Sequence, residues 1–182
     1  MEDLRRPVII SGVKTIIFFR HGKSDWAAEF DTDSERPVSK RGIEAAKLMG
    51  RFLGETGQRP DKVITSSAVR ARTTAEIAHR TGSWDCSIRS TDALYAAEPA
   101  QVLSEIRAEP DSTGTLVVVG HEPTWSETIG LLLGRATLRF PTAAMARIDF
   151  DVQSWGEIDA GRGMLVFLVA PKLLGKFVEG ST

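Results

Sequence analysis

Continuous apolar, β-branched runs alternate with helix-like segments along this chain, and that alternation leaves few folds open. The runs are "TIIFF" (15–19), "KVIT" (62–65), "CSIRS" (86–90) and "TLVVVG" (115–120). Strands alternating with helices form parallel sheets, because each crossover helix must lie on a sheet face. Unbroken apolarity in the first and last runs predicts central strands covered on both sides. Between them, "SKRGIEAAKLMGRFLGETG" places Ile43, Ala46, Gly50 and Leu53 on one stripe at helical spacing. Ser39 stands ready as the cap, with Gly54 and Gly57 as the stop. A second helix follows in "SSAVRARTTAEIAHRTG", closed by Gly82. A third lies in "EPAQVLSEIRAE", ending before Pro110, and a fourth in "EPTWSETIGLLLG", with Pro123 suited to its first turn. The tail, "AMARIDFDV" and "MLVFLVAP", reads as an antiparallel hairpin at a sheet edge. The expectation is an α/β fold: a three-layer α/β/α sandwich with a mostly parallel sheet and an antiparallel C-terminal edge hairpin. Its 182 residues suit one domain, 1–182, with residues 1–13 as a flexible N-terminal segment.

Charge and cysteine content narrow the function. With 23 basic and 24 acidic residues the chain lacks the basic footprint of a nucleic-acid binder. One cysteine, Cys86, permits no internal disulfide, reads as an inert and partly buried thiol, and leaves the usual zinc spacings unfilled. No apolar run is long enough for a bilayer, and the start is too short in apolar residues for a secretory signal. The expectation is a cytoplasmic protein with no nucleic-acid or membrane partner.

Chemistry concentrates at the strand ends. In open α/β sheets, ligands sit beyond the carboxyl ends of the strands. Arg20 and His21 occupy that place after the first strand, and Gly22 lets the backbone turn closely there. "VVVGH" delivers His121 likewise, and "VITSSAVR" brings Arg70 into the first turn of its helix. Guanidinium forks match phosphate oxygens; one neutral imidazole can attack phosphorus while another neutralises the transferring group. Paired histidines also suit a metal, but two arginines would repel a cation. His79, within a helix, reads as a surface or packing residue.

"RHG" ending the first strand, "SSAVRA" opening a helix and "VVGH" opening another resemble the histidine phosphatase superfamily, across Thr15 to about Phe150. "ERPVSKRG" and "FPTAAMARIDF" extend the resemblance to the small bacterial phosphohistidine phosphatases of the SixA type. The resemblance implies a catalytic set: His21 as nucleophile, with Arg20, Arg70 and His121 as the phosphate pocket. It implies no metal and no organic cofactor. Ser24 and the backbone N–H of Glu122 are further candidate phosphate contacts, whereas the Glu122 carboxylate should oppose an anion. Lys23 reads equally as a solvated loop residue.

The superfamily's mutases carry a long insertion that supplies a proton donor, and here that stretch is short. Glu98 and, more weakly, Asp92 are the carboxylates in the region, Glu98 reading better as a first-turn helix residue. The implied function is a phosphatase acting through a phosphohistidine intermediate on a phosphohistidine-bearing protein. A small-molecule phosphomonoesterase is the enzymatic alternative, and a non-catalytic phosphate- or phosphoprotein-binding module the rival of another class. The four tryptophans read as packing at element ends. Arg135 and Arg139 are candidate anchors for an acidic protein substrate.

Overall fold

A computed structural model describes residues 12–179, so the expectation of a flexible start falls, through residue 11, outside the described residues. Four strands form the parallel core: β1 (Val13–Arg20), β2 (Lys62–Ser66), β3 (Ser87–Thr91) and β4 (Thr115–Gly120). Two more complete the sheet, β5 (Met145–Asp151) antiparallel to β1 and β6 (Met164–Val169) antiparallel to β5. The order β3-β2-β4-β1-β5-β6 puts β1 and β4 at the centre, where their continuous apolar sequence belongs.

Alternation within β1 divides the core. Ile16 and Phe18 face one side with Leu116 and Val118; Ile17 and Phe19 face the other with Val117 and Val119. The first side is covered by α3 (Pro99–Arg107) and α4 (Thr124–Leu132), through Val102, Ile106, Trp125 and Ile129. The second is covered by α1 (Lys40–Glu55) and α2 (Val69–Thr81), through Met49, Leu53, Ala71 and Ala75. These are the three layers that the strand–helix alternation predicts.

Local expectations hold with informative exceptions. Ser39 does cap α1, its hydroxyl accepting from Gly42 N at 3.2 Å. Gly54 does not end that helix but lies within it. Its use is proximity, since a Cβ there would stand 2.4 Å from Gly82 O. Gly82 in turn sits 2.4 Å, on the same measure, from Gly50 O, so α1 and α2 touch backbone to backbone. The hairpin sits as expected at one side of the sheet, although only β6 is its edge. A fifth helix, α5 (Pro171–Glu179), follows β6 and packs on the α1 face through Leu174. It has no counterpart in the sequence reading.

A Cβ on Gly50 would stand 2.3 Å from Ala78 O, which a packed helix pair cannot absorb without shifting. Gly50→Ala should therefore cost about 1–3 kcal/mol in urea unfolding. Gly175→Ala is the control: nothing lies within 4 Å, and replacing a mid-helix glycine should stabilise by roughly 0.5–1 kcal/mol. Equal effects at the two sites would refute the close helix contact.

Candidate active site

Strand register creates the site. Arg20 at the end of β1 stands beside Gly120 at the end of β4, and His21 N donates to Gly120 O at 3.0 Å. The next residues on the two strands, His21 and His121, therefore emerge together, with ring centroids 5.0 Å apart. Arg70 joins them from the first turn of α2. All four line one cavity of about 540 Å³.

Each side chain is held by the chain around it. His21 Nδ1 lies 2.7 Å from Gly22 O. A carbonyl can only accept, so Nδ1 carries the proton and Nε2 keeps its lone pair. Arg20 donates through Nη1 to Phe140 O at 2.8 Å. Arg70 donates through Nη1 to Asp33 O and through Nη2 to Asp33 Oδ2, at 2.6 and 2.9 Å. His121 Nε2 meets Ser66 Oγ at 2.8 Å. Behind the pair, Trp125 Nε1 donates to Phe19 O and ties α4 to the end of β1. Gly22 packs where a Cβ would stand 2.8 Å from Gly42 O, which seats the loop against the start of α1.

Among the described residues, four of the seven buried side-chain atoms without a hydrogen-bond partner form one group: Arg20 Nε, Arg70 Nε, His121 Nδ1 and Ser24 Oγ. All four belong to residues lining the cavity. Buried polar groups are rarely left unpaired, and four around one cavity describe a receptor for a polar ligand. Five cationic side chains line it, Lys23, Arg36 and Arg41 besides Arg20 and Arg70, against Glu122 alone among carboxylates. The ligand that this arrangement fits is an anion. Among the described residues, no three His, Cys, Asp or Glu side chains are grouped to hold a metal ion.

Sequence reasoning placed Ser24, buried and lining the cavity, and Glu122, also lining it. The structure adds an account of the Glu122 carboxylate: its oxygens accept from Ser126 N and Oγ at 3.0 and 2.7 Å, capping the first turn of α4. Glu98 is the residue preceding α3, where Gln101 Oε1 accepts from its N–H, and neither it nor Asp92 lines the cavity. Arg135 and Arg139 do not line it either. His79 packs as expected, with Nε2 at 2.9 Å from Cys86 O. Burial pushes the Cys86 thiol up to about 11, consistent with an inert group.

Three contributors were missed. Asp33 accepts from Arg36 as well as Arg70, holding both guanidiniums at the cavity. Burial raises the Asp33 pKa, but the two arginines outweigh it and the net shift is down. Trp26 is not a packing residue: it is 72% exposed, lines the cavity and lies under the Arg36 guanidinium, 3.6 Å from its ring centroid. Ala143 adopts the left-handed region (φ 58), and its N–H donates to His21 O. "ERPVSKRG" held the signal for Arg36 and Arg41, as two arginines in a segment already matched to phosphate-handling relatives.

A Mycobacterium tuberculosis protein of uncharacterised function is 35% identical over 163 residues, 84% of this chain and 99% of its own. The family model of the histidine phosphatase superfamily (branch 1) matches residues 16–95, the span that carries Arg20, His21 and Arg70. The chain belongs to the histidine phosphatase superfamily. Among solved structures, a candidate phosphohistidine phosphatase SixA from Agrobacterium tumefaciens superposes with a TM-score of 0.75 at 26% identity, over 87% of this chain and 98% of that one. A protein histidine phosphatase SixA complexed with tungstate shares the fold, with a TM-score of 0.76 at 21% identity over 88% and 99% of the two chains. This member of the superfamily is thus SixA-like in architecture.

Both site imidazoles resist protonation. Burial pushes His21 down to about 4, opposed by the Gly22 carbonyl and reinforced by Arg70, Arg20 and Arg36. Burial, then His21, Arg70 and Arg20, push His121 down to about 3, with Asp33 opposing. The unfolded chain binds these protons near 6.5. Stability from the neutral rings is therefore fully present above pH 6.5 and is lost as pH falls toward 4 and then 3. Between pH 6.5 and 5, before most carboxylates titrate, His21 and His121 should each withdraw about 1–2 kcal/mol. Urea melts in phosphate-free buffer should show that slope halved in His21→Ala. An unchanged slope would mean that the rings are not held neutral.

Proposed function

We propose that the protein is a metal-independent phosphatase working through a phosphohistidine intermediate on His21, with a phosphohistidine-bearing protein as its preferred substrate. The hydrogen bond from His21 Nδ1 to Gly22 O carries the reading. It turns the lone pair of Nε2 outward, and the depressed pKa means that no deprotonation need precede attack.

In the first step Nε2 bonds to phosphorus as the bond to the leaving atom breaks in line. Charge on the equatorial oxygens is met by Arg20 and Arg70, whose Nε donors are otherwise unpaired, and by Ser24 Oγ and the Glu122 backbone N–H. Ser66 Oγ can donate to His121 Nε2, which leaves His121 Nδ1–H to donate to an oxygen. An arriving dianion raises the pKa of His121, so it gains positive charge when that charge is useful. In the second step water attacks phosphorus, and the P–N bond breaks with its electron pair returning to Nε2. Inorganic phosphate is released.

Leaving-group demand supports the substrate class. General-acid help is worth about 10²–10⁴-fold in rate. The candidates Glu98 and Asp92 lie away from the cavity, and both Glu122 oxygens already accept from Ser126. A phosphoramidate nitrogen can carry its own proton, and an aryl oxygen needs little help. The likeness in fold to a SixA complexed with tungstate, itself a tetrahedral oxyanion, supports an oxyanion as the ligand.

Rapid quench with labelled phosphoryl donor should trap an acid-labile, base-stable label on the wild-type protein. His21→Ala should lose essentially all turnover and all label while retaining its circular dichroism spectrum. Acid-stable label, or turnover preserved in the alanine variant, would remove His21 from the role.

A further inference from the structure

The cavity at His21 continues into a second groove of about 310 Å³ through Lys23, Arg41 and Thr142, which line both. The groove runs to the β6–α5 junction, where Lys172 and Leu173 complete it opposite Ala45 of α1. Lys23, Arg41 and Lys172 are all exposed, and among the described residues none has an ion-pair partner. No carboxylate lines the groove. Like charges gathered without a counter-charge set up a field that an anion relieves.

The walls narrow the class of anion. Between the cations the surface is apolar, from Ala45, Pro141 and Leu173, the last 56% exposed. Charge with adjoining apolar wall matches a polypeptide with acidic side chains better than a compact solute, which would use the charge alone. The shared lining also places the groove directly beside the phosphoryl position.

We propose that this groove receives the polypeptide flanking the phosphorylated side chain, with Lys23, Arg41 and Lys172 holding an acidic residue of that segment. It rests on the reading of His21 as the phosphoryl-accepting group. Complementary exposed charges set partner preference and encounter rate, and salt weakens them.

The test uses labelled peptides carrying a central phosphonomethyl-phenylalanine, a non-hydrolysable phosphoryl mimic, with acidic, neutral or basic flanks. Anisotropy titrations at low salt on the wild type should rank acidic above neutral above basic, with about tenfold between the extremes. Lys172→Glu should erase or invert that ranking. Turnover of p-nitrophenyl phosphate, which carries no flanking polypeptide, should be the same in both proteins. An unranked wild type, or the same ranking in Lys172→Glu, overturns the proposal. So does a Lys172→Glu loss as large on a small carboxyphenyl phosphonate as on the peptides. Because binding is read apart from turnover, failure of the His21 reading would show as absent p-nitrophenyl phosphate hydrolysis and leave the groove test standing.

Discussion

The site depends on the parallel pairing of β1 with β4. The chain reaches β4 only after building β2 and β3, then inserts it between β1 and β2. The loop after β1 leads to α1 on one face, and the loop after β4 leads to α4 on the other. A crevice opens where those loops part, and the register Arg20 to Gly120 puts one histidine on each side of it. A one-residue slip would send Phe18 and Phe19 to each other's faces and separate the two rings. Core packing and site geometry are therefore the same constraint.

Electrostatics follow from that placement. Two imidazoles 5.0 Å apart, buried and ringed by guanidiniums, cannot readily both carry charge, and burial holds each neutral. The positions of Arg20 and Arg70 are set by Phe140 O and by Asp33. Asp33 serves two ends at once, anchoring Arg70 and Arg36 while leaving the cavity side strongly cationic. Donors fixed in place before a ligand arrives need no reorganisation when charge develops, which is the main advantage of such a pocket.

The four central residues were legible because each sits at a place that sequence marks. Arg20, His21 and His121 end apolar runs beside glycines, and Arg70 follows a strand by one short turn. Glu98 was legible too, because a proline after an acidic residue marks a helix start more strongly than an acid donor. Asp33 and Trp26 were not legible. They lie in a loop without hydrophobic period, and Asp33 reaches Arg70 across 37 positions. Ala143 is invisible for another reason, since its positive φ is imposed by bonds around His21 and Arg20 rather than by residue type. The helix α5 was lost because "APK" reads as a strand's end. Pro171 is instead the first helical residue, where a missing N–H costs nothing.

The central claim is that backbone Gly22 selects the tautomer of His21 and so the nitrogen that accepts phosphorus. Its most direct test is ¹⁵N–³¹P correlation NMR on histidine-labelled protein, quenched in base during turnover. Phosphorus bonded to Nε2 of His21 is the expected result. A bond to Nδ1, or to His121, would contradict the assignment of both the tautomer and the nucleophile.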